Sequence, residues 1–256
     1  MARKKRLGQA CGKQGIINKN MKQAIQSIII WVVGISLTVL LFFVMLILTI
    51  ILFPFDRKRK IVHSQCFWWS DAVTALNPYW KVKVSGLKNI DHHKTYVVVS
   101  NHQSLADIVL MYKIKMQFKW VAKESLFKIP VLGWNMRLAK HIRLERGDFS
   151  SIKKVYREAG EWLRKGVSVL FFPEGTRSGN QEMGAFQNGA FKLAIKEHVP
   201  ILPIKIAGTK DAIPKGSWRF TTKISCTIQV LPAIETSDLH MQDFERLRDL
   251  ARAQLS

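Results

Sequence analysis

Acidic residues are scarce in this 256-residue chain: 18 Asp and Glu stand against 40 Lys and Arg, a formal net charge of +22. That imbalance excludes an acid-rich surface and points to a polyanionic partner: nucleic acid, an anionic membrane or a phosphorylated substrate. Cysteine is nearly absent. Cys11, Cys66 and Cys226 lie far apart with no Cys-x-x-Cys pair, which excludes a disulfide framework and the usual metal spacings. Scattered cysteines fit a reducing compartment, and Cys226, in an apolar alternating run, reads as a small core residue rather than a nucleophile. No internal repeat or low-complexity linker divides the chain, which is long enough for one large domain with a real core.

Charge is also missing locally. Residues 1–27 carry seven Lys/Arg and no acid, and residues 28–53 carry no charge at all. The remainder holds 33 basic and 18 acidic residues, so it keeps a charge of +15 and the excess is not confined to a tail. As a helix, the uncharged stretch would be about 39 Å long, more than the ~30 Å hydrocarbon core of a bilayer. A signal peptide would have a shorter apolar part and a small-residue cleavage site. Here the run ends in Phe53-Pro54-Phe55 and Arg57-Lys58-Arg59-Lys60, as in a retained anchor. Residues 61–76, with Ile61-Val62 and Phe67-Trp68-Trp69, read as an amphipathic helix with interfacial tryptophans, ending at Asn77-Pro78. The chain therefore divides into a basic segment, 1–27, a membrane anchor, 28–77, and a globular domain, 78–256. The basic N-terminus mildly favours a cytoplasmic start, and a simple span would then export the domain. Basic residues on both flanks suit a helical hairpin dipping into one leaflet, and that is the expected arrangement.

The globular part alternates strands and helices. Tyr96–Ser100, Phe118–Ala122, His141–Glu145, Ser168–Phe172, Ile201–Ile206 and Ile224–Leu231 read as strands, the first and fourth as continuous apolar runs buried on both faces. Helices are expected over 105–115, 150–164, 184–197 and 239–255, with Gly166 closing the second. The fold class is α/β: a mixed, largely parallel sheet covered by helices, preceded by the membrane-inserted helical anchor. In such sheets chemistry gathers where strands end.

Two candidate motifs directly follow strands. In Asn101-His102-Gln103-Ser104-Leu105-Ala106-Asp107, a five-residue spacing turns about 500° on a continuous helix and puts His102 and Asp107 on different faces. The pair meets only if His102 stays on the loop and a helix begins after it, with Ser104 as N-cap and Asp107 turned back. His102 is then a general base and Asp107 its orienting carboxylate. A local capping pair of Ser104 and Asp107 explains the same residues without catalysis. In Phe172-Pro173-Glu174-Gly175-Thr176-Arg177-Ser178, Gly lets the backbone approach a ligand and Arg offers a two-pronged donor to phosphate; a polar turn with a solvated Arg is the plainer alternative. Lys123 ends a strand, and Arg146 emerges in line with the apolar face of Ile142 and Leu144. His141 and the other histidines lack evident partners and read as structural or surface residues.

Together these motifs resemble the glycerolipid acyltransferase family typified by 1-acyl-glycerol-3-phosphate acyltransferases. Asn101, His102 and Asp107 match its Asn-His-x4-Asp motif, residues 172–178 its Phe-Pro-Glu-Gly-Thr-Arg-Ser motif, His141–Arg146 its basic strand and residues 199–204 its apolar segment with proline. Ala139-Lys140 replace the small glycine that usually precedes the basic strand, which leaves Arg143 and Arg146 both open as its arginine. The resemblance implies acyl transfer from acyl-CoA or acyl carrier protein to the hydroxyl of 1-acyl-glycerol-3-phosphate, giving phosphatidic acid in phospholipid synthesis. His102 and Asp107 would be catalytic. Lys123, Arg146, Glu174, Gly175, Thr176 and Arg177 would bind substrate, with Glu174 orienting its loop. It implies no metal and no cofactor beyond the thioester co-substrate, and it implies a catalytic domain on the cytoplasmic side of the inner membrane, where thioester donors are. The alternatives are another acceptor, such as glycerol-3-phosphate or a lyso-ornithine lipid, and a non-catalytic protein that binds anionic lipid. A nucleic-acid binder is disfavoured by the anchor and by the absence of a binding module.

Overall fold

A computed structural model of the chain describes residues 2–77, 80–178, 182–213, 216–220 and 223–256, with side chains described from Asn18 onward except Lys19. The expected helix end at Pro78 and most of the basic N-terminal side chains lie outside the described residues. Among the described residues, seven strands form one sheet: β1 (Trp80–Ser85), β2 (Val97–Ser100), β3 (Phe118–Lys123), β4 (Ile142–Leu144), β5 (Ser168–Phe171), β6 (Ile201–Ala207) and β7 (Ile224–Val230). Their order is β1-β7-β6-β2-β5-β3-β4. Neighbours pair parallel except β6 with β7, which pair antiparallel. The helices are α1 (Ala2–Ile51), α2 (Lys60–Ala75), α3 (Ala106–Met111), α4 (Glu124–Phe127), α5 (Leu132–Leu138), α6 (Phe149–Arg164), α7 (Gly189–Lys196) and α8 (Phe244–Leu255).

The side-chain alternation of β2 divides the core in two. Val98 faces Leu110, Met111 and Tyr112, with Phe67 and Trp69 of α2 packed behind. Val97 and Val99 face Val155 and Leu163 of α6, Phe191 of α7 and Leu255 of α8. Covered on both faces, the central strands need continuous apolar runs, which made them readable in the sequence. The alternation Lys81-Val82-Lys83-Val84 of β1 is a half-exposed edge strand, and the sequence reading passed over it. The helix expected from residue 184 begins only at Gly189, because the preceding segment is held elsewhere: the Gln187 N–H donates to the Pro173 carbonyl at 2.8 Å.

Helices α1 and α2 pack against each other as a helical hairpin. The stretch Asn20–Ile51 of α1 is long and apolar enough to cross a membrane. After it, the Asp56 carboxylate accepts from the N–H groups of Lys60, Ile61 and Val62 at 2.7, 3.0 and 3.2 Å, capping the start of α2. Of the basic residues at this turn, Arg59 is buried, and its guanidinium donates to the Thr49 carbonyl at 3.5 Å. α1 is fastened to the globular domain along its length. Near one end, Gln23 Nε2 donates to the Phe220 carbonyl at 3.0 Å and Trp31 Nε1 to the Trp218 carbonyl at 2.8 Å. Near the other, Phe42 stacks obliquely on Trp134 of α5 with centroids 5.5 Å apart, and Met45 packs against Ala139.

Candidate active site

β2 ends at Ser100, and the next residue fixes the loop. Asn101 Nδ2 donates to the Ile206 carbonyl at 2.7 Å, while the Ile206 N–H donates to Asn101 Oδ1 at 2.8 Å, tying the strand end to β6. His102 stands on that loop, outside the helix, and α3 begins at Ala106. Asp107, in the first turn, turns back: its Oδ2 lies 2.8 Å from His102 Nδ1. The geometric condition set by the five-residue spacing is therefore met. The same Oδ2 also accepts from the N–H groups of Gln103 and Ser104 at 2.6 and 2.8 Å. The catalytic and capping readings are not rivals here, since one oxygen atom makes the contacts that each requires. The N-cap position itself shifts from Ser104 to Leu105, whose side chain cannot cap.

The 172–178 loop forms the other wall. Phe172 stacks on the His102 ring, centroids 4.0 Å apart and planes 10° from parallel. Glu174 Oε1 accepts from the His102 N–H at 2.8 Å, and its Oε2 accepts from the Gly184 N–H at 3.0 Å. Ser178 N–H and Oγ both donate to the His102 carbonyl, at 2.9 and 3.1 Å. His102 is thus held by ring, amide and carbonyl, leaving the imidazole edge opposite Asp107 as its accessible part. Gly175 takes φ +70 with open space around it, a backbone conformation that suits glycine.

A cavity of about 400 Å³ opens at this point. It runs over the strand ends, from Thr38, Leu41 and Met45 of α1 and Cys66 and Trp69 of α2, past His102, to Tyr156 of α6 and Gly189 of α7. Lys123, Arg146 and Gly175 also line it. Glu174 is buried behind the loop, and Thr176 and Arg177 do not reach the lining. Arg143, the other reading of the basic strand's arginine, lies 3.8 Å from Glu124 instead. His141 departs from the surface reading: it lines the cavity, its Nδ1 accepts from the Trp120 N–H at 3.2 Å, and burial lowers its pKa well below the usual value. Burial pushes the Cys66 and Cys226 thiols up to about 11, so neither is a ready thiolate. Sequence reasoning missed the ring stack of Phe172, the clamp by Ser178 and the place of Tyr156. The first two lie inside a quoted motif; nothing in the helical pattern singles out Tyr156.

The arrangement supplies an oriented imidazole at an apolar cavity with cations at its rim. Among described residues, no group of three or more His, Cys, Asp or Glu is placed to hold a metal ion. Comparison with known proteins points the same way. The Acyltransferase family model matches residues 81–207, which contain every motif above. A 1-acyl-sn-glycerol-3-phosphate acyltransferase of Chlamydomonas reinhardtii is 36% identical over 230 residues, covering 89% of this chain and 68% of that one. One of Pseudomonas aeruginosa is 31% identical over 206 residues, covering 78% and 77%. The chain spans about half the length of a chloroplastic relative from Arabidopsis thaliana, 52%, at 38% identity over 192 residues, or 73% of this chain. The crystal structure of the 1-acyl-sn-glycerophosphate (LPA) acyltransferase PlsC of Thermotoga maritima superposes with a TM-score of 0.67 at 28% identity, covering 88% of this chain and 94% of that one. With His102, Lys123, Arg146 and Gly175 lining one cavity and two relatives of more than 30% identity matched over two thirds or more of their length, this chain belongs to the 1-acyl-sn-glycerol-3-phosphate acyltransferase family.

Proposed function

We propose that this protein transfers a fatty acyl group from a thioester to the free hydroxyl of 1-acyl-glycerol-3-phosphate, forming phosphatidic acid. The observation that carries this reading is the His102–Asp107 pair, 2.8 Å apart, facing an apolar cavity rimmed by Lys123 and Arg146. Asp107 Oδ2 already accepts two backbone N–H groups, so it acts as an acceptor toward His102 as well. The ring proton then sits on Nδ1, and Nε2 carries the lone pair. Nε2 takes the acceptor's hydroxyl proton as the oxygen attacks the thioester carbonyl. The tetrahedral intermediate collapses, the carbon–sulfur bond breaks, and the leaving thiolate takes the proton back from the imidazolium. Lys123 and Arg146 receive the acceptor phosphate. The apolar stretch toward α1 and α2 houses an acyl chain, and Met45 and Cys66 stand along it.

A second reading concerns the anchor. The domain contacts of α1 run from Gln23 to Leu48, about 37 Å of helix. A helix crossing a ~30 Å core meets a domain on one side at one end only. Contacts at both ends support a hairpin lying in one leaflet, and the need for a cytosolic thioester donor favours the cytoplasmic side for the domain. Reporters fused at the two termini should map to the same side, and opposite sides would overturn it.

The test of function is purified protein in vesicles with lysophosphatidate and an acyl thioester, against glycerol-3-phosphate and lyso-ornithine lipid as competing acceptors. His102→Ala should lose about 10²–10⁴-fold in kcat, and unchanged turnover would sink the mechanism. Arg146→Ala should raise the acceptor KM more than it lowers kcat.

A further inference from the structure

Beyond the catalytic cavity, the molecule carries a second concavity of about 350 Å³ between α6 and α7. Lys153, Arg157, Arg164 and Lys196 line it, together with Glu197 and Tyr156. Glu197 is taken up by Arg164, whose Nη1 donates to both carboxylate oxygens at 2.6 and 2.7 Å. Among the described residues, Lys153, Arg157 and Lys196 have no carboxylate within salt-bridge distance, although Lys154 of α6 and Lys165 just past its end do. Lys153 Nζ lies instead over the Phe149 ring, 4.7 Å from its centroid. The groove therefore concentrates positive charge that the protein does not neutralise.

Its position matters more than its charge. Tyr156 lines both this groove and the catalytic cavity. Its hydroxyl sits where α7 starts: a Cβ on Gly189 would stand 2.9 Å from it, so glycine makes the room. α6 leaves the catalytic edge of the sheet after β4 and descends to the opposite edge before β5. From Lys153 to Arg164 the basic face runs about 16 Å away from the reaction centre. The cavity thus has an apolar end under the anchor helices and, across Tyr156, a cationic continuation on the far side.

We infer that this groove binds the phosphorylated nucleotide end of acyl-CoA, with Tyr156 marking where the pantetheine arm passes toward His102. The inference rests on the reading of the protein as a thioester-dependent acyltransferase. The polarity fits the donor: an apolar chain at one end, an uncharged arm in the middle and phosphates at the other. The size favours a small molecule over a carrier protein. Ligand pockets hold roughly 300–1,000 Å³, as this groove does, whereas a stable protein contact buries about 800 Å² on each partner.

Steady-state kinetics of the full-length protein in vesicles test it, with acyl-CoA and acyl carrier protein as alternative donors. The double variant Arg157→Glu/Lys196→Glu should raise the KM for acyl-CoA by about tenfold or more, as loss of charge-assisted phosphate contacts does. Its kcat and acceptor KM should stay near wild type, and the conservative single variant Arg157→Lys should keep the KM for acyl-CoA close to wild type. Calorimetry with adenosine 3′,5′-bisphosphate reads the groove without turnover: binding to wild type and loss in the double variant are expected. An unchanged KM for acyl-CoA, a shift confined to the acceptor or to the carrier-protein donor, or no bisphosphate binding would each overturn the assignment. If wild type transfers acyl groups from carrier protein only, the groove assignment falls while the acyltransferase reading stands. If it transfers from neither donor, that reading falls, and calorimetry alone decides the groove.

Discussion

At the residue scale, Asp107 carries two duties on one oxygen. It orients His102, and it satisfies two backbone N–H groups at the start of α3. Stability and catalysis should therefore separate by residue. His102→Ala leaves the two backbone donors of Asp107 in place and should lower the melting temperature less than loss of the carboxylate does, while turnover falls by about 10²–10⁴-fold. Asp107→Ala should abolish turnover and also cost about 1–3 kcal/mol, because Gln103 and Ser104 lose their acceptor. Thermal denaturation of the two variants in the same detergent checks this, and equal melting temperatures would contradict the shared duty. The His-x4-Asp spacing was legible in the sequence only as a condition, because it says nothing about where the helix begins. What holds His102 from the other side was not legible at all. Glu174 and Ser178 lie more than seventy residues away, and only the sheet order, with β2 next to β5, brings the two strand ends together.

At the scale of elements, the junction between the hairpin and the sheet carries the least ordinary electrostatics. Lys119 of β3 is almost fully buried, donates to the carbonyls of Lys58 and Ala139 at 3.1 and 2.7 Å, and lies 4.7 Å from the Trp162 ring centroid. Burial lowers its pKa to about 7 from the ordinary 10.5; Asp56 opposes that shift, and Lys140 and Arg59 reinforce it. The sign follows from proton linkage. Between pH 10.5 and about 7 the unfolded chain holds the proton more tightly than the folded one, so this lysine's contribution to stability falls as pH falls through that window. Lys119→Met should remove the dependence, and the difference between wild-type and variant denaturation midpoints at pH 7 and pH 9.5 measures it. Asp56→Ala should loosen the start of α2 by about 0.5–2 kcal/mol, the usual cost of a lost cap, seen as faster amide exchange at Lys60–Val62. The sequence showed the central strands because burial on both faces leaves unbroken apolar runs. It hid β1, whose lysines alternate into solvent. It placed the start of α7 too early, because apolar residues before Gly189 belong to a loop pinned to Pro173.

For the whole molecule, the division of labour follows the charge map that the composition already hinted at. The apolar stretch of α1 exposes Ile28, Ile29, Val32, Ile35, Leu40, Phe43, Ile47 and Ile50 away from the domain. Binding to vesicles should therefore combine an apolar and an ionic part. Raising salt from 0.1 to about 1 M shortens the screening length from ~10 to ~3 Å and should weaken, but not abolish, flotation with anionic lipid.

The double fastening of α1 to the domain carries one more consequence, concerning lipid thickness. A helix that crosses a bilayer must match the hydrocarbon depth and tilts or strains when it cannot. A helix lying along a domain within one leaflet has no such depth to match. Turnover should be nearly flat across vesicles built from phosphatidylcholines of increasing chain length, and should respond instead to how loosely the outer leaflet packs. The same enzyme would then work equally well in thin and thick membranes, and would be most active where curvature opens gaps between headgroups.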